Sequence, residues 1–97
     1  MADDKITVEN VGQAGKTYRV DAAKYAAMRA AMLAALPNAA PGLAVAALIA
    51  AVKPGLPQDL FPGGETAGWW VKCVQLDLEA KGAIARAKGS PVRLYRI

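Results

Sequence analysis

The sequence predicts an α+β fold, a three-helix core with a β-hairpin at each end. Three observations predict it. Apolar residues recur three and four apart in three separate stretches. Glycine and proline clusters punctuate the chain between the second and third of these stretches and on either side of them. Short alternating runs stand before the first stretch and after the last.

The first alternating run is Lys5–Asn10, with Ile6 and Val8 set against Thr7 and Glu9. The second is Lys16–Val20, with Tyr18 and Val20 against Thr17 and Arg19. Gly12 and Gly15 flank their link, which predicts an antiparallel hairpin with a loop longer than a tight turn. Asp21 then stands where a helix N-cap belongs. The helix Ala22–Leu36 follows, with Tyr25, Met28, Met32 and Leu36 on one face, and Pro37 ends it.

The second helix is expected over Leu43–Val52, with Val45, Leu48, Ile49 and Val52 turned inward. No capping side chain stands at its start, and Pro54-Gly55 breaks it. Pro57–Leu60 suits a single helical turn, with proline pre-set at the first position. The third helix is expected from Glu65 to Lys81. Trp70, Val71, Val74 and Leu78 form its core stripe, and Trp69, Cys73, Leu76 and Ala80 a second apolar side. The polar residues of its body are Lys72, Gln75, Asp77, Glu79 and Lys81. A helix apolar on two sides needs two partners. The first is the helical core; the second is the N-terminal hairpin or another copy of the chain. Gly82 supplies the left-handed stop. Ala83–Lys88 and Val92–Ile97 are the final strands, joined by Gly89-Ser90-Pro91.

Ninety-seven residues suit one domain with one core, residues 1–97. The net charge of +4 permits attraction to phosphates without demanding it. Cys73 is the single cysteine and histidine is absent. That inventory excludes an intrachain disulfide, a Cys/His zinc site and histidine acid–base or triad chemistry. No metal or cofactor is expected. The start, Met1–Lys5, is unlike a signal peptide, and the most apolar window, Leu43–Val52, is too short to cross a bilayer. A soluble cytoplasmic protein without membrane contact is the expectation.

The run Leu78-Glu-Ala-Lys-Gly82-Ala-Ile84-Ala-Arg86 resembles the helix-to-wing junction of winged-helix proteins. A leucine, a charged pair, a glycine and an Ile-x-Arg strand recur there. The likeness implies a winged helix-turn-helix-like core whose wing is the C-terminal hairpin. A wider pattern joins Val20-Asp-Ala-Ala-Lys-Tyr25, Leu60-Phe-Pro-Gly-Gly64, Gly68-Trp-Trp70 and Leu76-Asp-Leu-Glu-Ala-Lys-Gly82. It resembles a family of small bacterial proteins of unknown function with that architecture. This resemblance implies a fold and a bacterial origin, and it brings no catalytic or binding residues. The chain departs from DNA-reading winged helices at the reading helix. Polar side chains usually face the groove there, whereas this chain offers Trp69, Cys73 and Leu76.

Two uses are weighed. In the first, Arg86, Lys88, Arg93 and Arg96 hold a nucleic-acid backbone while Lys72 and Gln75 read it. The plainer account of those cations is a solvated hairpin protected from edge pairing. In the second, Trp69, Cys73 and Leu76 form a protein-interaction or homodimer surface. Burial of Trp69 under the N-terminal hairpin is the plainer account there, and Cys73 suits an inert core thiol. Gly63-Gly64-Glu65-Thr66 opens the third helix, but Glu65 opposes an anion and no nucleotide-loop lysine follows. Asp77 and Glu79 lie two apart on a helix and point to different sides, so they are no catalytic pair. The expectation is a non-enzymatic binding module.

Overall fold

The computed structural model describes residues 4–97 and opens on a β-hairpin. Strands β1 (Lys5–Glu9) and β2 (Thr17–Asp21) pair antiparallel, with Lys5 opposite Asp21 and Val8 opposite Tyr18. Alternation puts Ile6, Val8, Tyr18 and Val20 on one face. Val8 and Val20 are buried on that face.

Helix α1 spans Ala22–Ala35. The Asp21 carboxylate accepts the Lys24 N–H at 3.0 Å, the cap expected from sequence. Tyr25, Met28, Met32 and Leu36 are buried, so the predicted stripe is the packed one. Leu36 is already extended, as a residue before proline must be.

The second element departs from expectation. Leu43–Ala44 is not helical but forms β3, pairing with Leu94 and Arg93. Helix α2 is therefore only Val45–Val52. Gly42 explains the difference. Its φ is +84°, and a Cβ there would fall 1.9 Å from the Leu94 carbonyl oxygen. Only glycine lets the two backbones come that close.

Beyond α2 the chain makes a 3-10 turn at Lys53–Gly55. A single turn follows, closed by the Phe61 N–H on the Pro57 carbonyl at 2.9 Å. A second 3-10 turn covers Pro62–Gly64. Helix α3 runs Ala67–Ala80, two residues later than expected at its start. Thr66 is left-handed with φ 61°, and its hydroxyl bonds the Glu65 carbonyl instead of capping the helix.

Gly82 ends α3 with φ +75°, and the Ala83 N–H returns to the Leu78 carbonyl at 2.9 Å. Strands β4 (Ile84–Arg86) and β5 (Arg93–Arg96) follow, each shorter than predicted. With β3 they form an antiparallel sheet of order β3-β5-β4. Phe61, Met28, Met32, Leu48, Val71, Val74, Leu78, Ile84 and Leu94 fill the centre. Helix α3 touches α1, α2, β1 and β4, so it is the axis of the molecule.

Two polar side chains of α3, Gln75 and Asp77, are buried. Asp77 is the more enclosed of the two, with none of its surface exposed. It accepts the Glu9 N–H at 2.9 Å, the Tyr25 hydroxyl and the Lys81 ammonium. Lys81 also meets Glu9 at 3.4 Å. Burial by itself raises the carboxyl pKa, but the donors from Lys81, Tyr25 and the Glu9 backbone outweigh it and hold it below the usual carboxylate value. Tyr25 is pushed far up by burial and by its bond to Asp77, so it stays a donor.

Removing the carboxylate should cost about 3 kcal/mol, because three donors lose their acceptor in the interior. Urea unfolding of Asp77→Ala against the parent chain measures it. The pH dependence has a definite sign. A carboxyl pKa depressed in the folded state stabilises above the unfolded value, near 3.9. That contribution is lost as pH falls through the folded pKa. Stability should therefore drop below about pH 4, and Asp77→Asn should lack that portion of the drop in acid titrations followed by circular dichroism.

Candidate functional site

The open part of α3 is one narrow stripe. Trp69, Lys72 and Ala80 are exposed and Leu76 is half-buried, spaced three, four and four along the helix. The adjacent tryptophans divide between inside and outside. Trp70 packs edge-on against Phe61 at 6.3 Å between ring centroids and is buried. Trp69 leans edge-on against Trp70 at 5.1 Å but remains 56% exposed.

The N-terminal hairpin decides what is covered. The Tyr18 hydroxyl donates to Cys73 Sγ at 3.8 Å, and the Val11 N–H donates to the Leu76 carbonyl at 3.3 Å. Cys73 is thereby buried, so of the predicted interface trio only Trp69 and Leu76 reach the surface. Burial pushes the Cys73 thiol pKa up, aided by the nearby Asp77 carboxylate and only partly offset by Tyr18. Such a thiol is a poor nucleophile. Tyr18 remains 40% exposed, Ile6 37% and Val11 43%. Trp69 lies one turn before Cys73, and Tyr18 touches Cys73, so both rings border the same spot.

The predicted nucleic-acid contacts do not gather on one surface. Gln75 is only 1% exposed and cannot reach a groove. Its amide donates to Glu79 at 2.8 Å, and its Oε1 is buried without a partner among the described residues. Glu79 also takes Arg86, whose Nε is 2.5 Å from Oε1. This ion pair raises the Arg86 pKa and fixes β4 to α3. Arg96 donates to the Leu36 carbonyl at 2.9 Å, tying β5 to the end of α1. Alternation places Arg86 and Arg96 with Ile84 and Leu94, and Arg93 on the opposite face with Tyr95. Lys88 and Arg93 form no ion pair among the described residues. Lys72 is exposed on α3.

Other features offer less. The Gly63 N–H is taken by the Gln58 side chain at 2.9 Å, and the Lys53 methylenes lie beside Gly64. Among the described residues no three His, Cys, Asp or Glu side chains gather where a metal could bind. No helix among them is long and apolar enough to cross a membrane. An open groove of about 610 Å³ runs between α1 and the end of α2, lined by Ala27, Ala31, Ala34 and Ala51 with Val52 and Pro57. It has no polar side chain to orient a ligand. The Asp77 cluster and the partial exposure of Ile6, Val11 and Tyr18 were not foreseen. Only the pairing of the hairpin with α3, a long-range event, creates them.

These features define a small α+β protein with a half-exposed tryptophan on its central helix. The chain belongs to DUF6958, a family of unknown function, whose match covers residues 5–94. No curated protein and no solved structure matches it.

The two tryptophans should separate cleanly by mutation. Trp70→Ala should cost about 3–5 kcal/mol, as for a buried aromatic. Trp69→Ala should cost about 1 kcal/mol or less, because over half of its surface is already in water. Urea titrations of both variants measure the difference.

Proposed function

We propose that this is a non-enzymatic protein-contact module of the winged-helix type, and that its contact surface is the outward stripe of α3 with the adjoining hairpin. The element order β3-α2-α3-β4-β5, with the sheet ordered β3-β5-β4, supports the winged-helix reading. The resemblance noted at the helix-to-wing junction supports it too, and the wider pattern supports a bacterial origin. In that reading β4 and β5 are the wing and α3 is the helix that would read DNA.

The exposure of Trp69 carries the proposal. Where a reading helix needs hydrogen-bonding groups, α3 presents an indole, a lysine, a leucine and an alanine. A large half-exposed tryptophan flanked by other apolar residues is the composition of an interface anchor. The chemistry available elsewhere argues against catalysis. Cys73 is buried with a raised pKa, Asp77 is saturated with donors, and Glu79 is paired.

A photoreactive amino acid placed at Lys72 tests this in the producing cell. The expected outcome is a discrete protein adduct that disappears in Trp69→Asp while the domain stays folded. A folded domain that yields no adduct sinks the proposal.

A second reading rests on Lys88 and Arg93, the wing cations without an ion-pair partner. They suit a sequence-independent contact with phosphates. Two such contacts predict a log–log salt slope of about −2 for duplex DNA. Gel-shift titrations at several salt concentrations measure the slope. Binding should vanish in Lys88→Glu plus Arg93→Glu, and absence of any retardation at low salt removes this reading.

A further inference from the structure

The N-terminal hairpin crosses α3 one turn at a time. The Glu9 N–H of β1 meets Asp77, and the Tyr18 hydroxyl of β2 meets Cys73, one turn nearer the start of the helix. A helical turn advances about 5.4 Å and neighbouring strands lie about 4.8 Å apart, so each strand spans roughly one turn. The next turn in that series carries Trp69, which is 56% exposed. Resting on the protein-contact reading above, we infer that the partner is an extended segment of another protein that adds to the outer edge of β2. It lies over Trp69 as a third strand, with apolar and acidic side chains in alternation.

The edge of β2 is open to such a strand. The Ala22 N–H donates to the Asp4 carbonyl at 2.9 Å, which makes Asp4 and Ala22 a hydrogen-bonded pair. The register then makes Ile6–Val20 and Val8–Tyr18 the other bonded pairs. In consequence the backbone groups of Thr17 and Arg19 point away from β1. Both residues are exposed, and neither N–H makes a backbone bond outside the hairpin among the described residues. The outer edge of β1 differs, because its Glu9 N–H is taken by Asp77. One edge of the hairpin is thus held against α3, and the other faces the side on which Trp69 stands.

Alternation fixes what the added strand carries. Side chains opposite Tyr18 turn toward α3, where Trp69 and Tyr18 leave 56% and 40% of their surface free. Apolar residues suit that side, and they would cover Trp69 as the hairpin covers Cys73. Side chains opposite Thr17 and Arg19 turn the other way. Arg19 forms no ion pair among the described residues, and neither does Lys16 beside the strand. Acidic residues suit that side. The same two cations repel a second copy of this edge, so a partner of opposite charge fits better than the chain itself. Main-chain bonds to Thr17 and Arg19 hold the segment, and its two rows of side chains select it.

Amide hydrogen exchange of the full chain, followed by nuclear magnetic resonance, tests the inference. The probe is a capped peptide of alternating valine and glutamate. It should slow exchange of the Thr17 and Arg19 amides by about tenfold or more, while the Ile6 and Tyr18 amides, already paired within the hairpin, change little. A peptide of alternating valine and lysine should bind several-fold more weakly. Arg19→Pro deletes one outward N–H without removing a bond to β1, and it should abolish binding. Arg19→Glu keeps that N–H and should weaken binding about fivefold, and Trp69→Ala about tenfold. A folded chain whose Thr17 and Arg19 amides stay unprotected at millimolar valine–glutamate peptide overturns the inference. So does equal binding of the two peptides. Protection that grows with protein concentration alone overturns it too, and names a second copy instead. In each case a cross-linked adduct that is lost in Trp69→Asp but kept in Arg19→Pro leaves the protein-contact reading standing with a partner of another shape.

Discussion

The structure depends on a carboxylate with nowhere to go but inward. Asp77 lies on the most enclosed helix, and an unpaired charge there would be costly. It is tolerable because three elements bring donors to it: the backbone of β1 at Glu9, the hydroxyl of Tyr25 in α1, and Lys81 at the end of α3. Those donors reach it in one arrangement only. The hairpin must lie along α3 with Glu9 beside Asp77, and α1 must present Tyr25 from the other side. Apolar packing among Val8, Met28 and Val74 is less demanding about register. The polar cluster makes the arrangement definite.

Where the hairpin is held decides what stays open. With Glu9 beside Asp77, Tyr18 falls on Cys73 and Val11 on Leu76. The strands do not extend over Trp69. One side of α3 is thus covered up to its first turn, and the uncovered tryptophan is a consequence of the hairpin's position. The far side of α3 is closed by a different device. Glu79 collects Gln75 from its own helix and Arg86 from β4. That network consumes two groups expected from the sequence to meet a nucleic acid.

Much of the architecture was legible because it is written locally. Asp21 caps α1, Pro37 and Gly82 end helices, and residues three and four apart along α1 and α3 mark the faces that pack. Each is a property of a few neighbouring residues. Two expectations failed where a distant partner overruled local preference. Leu43-Ala44 continues the apolar run of α2, yet β5 draws it into a sheet across Gly42. Gln75 reads as an outward polar residue, yet it is buried, with its amide on Glu79 of the same helix, which Arg86 of β4 also holds.

The sequence by itself determined the order of the three helices and the two flanking hairpins, the stripe by which each helix packs, and a residue inventory unsuited to histidine or zinc chemistry. Periodicity, caps and breakers act over a few residues, so no knowledge of the fold is needed to read them. Only the tertiary structure decided that Asp77 and Gln75 lie inside, that Cys73 is covered, that Arg86 and Arg96 of the terminal hairpin are engaged, and that Trp69 is half exposed. Each of those depends on which surfaces meet across the chain, and burial and hydrogen-bond partnership exist only once they have met.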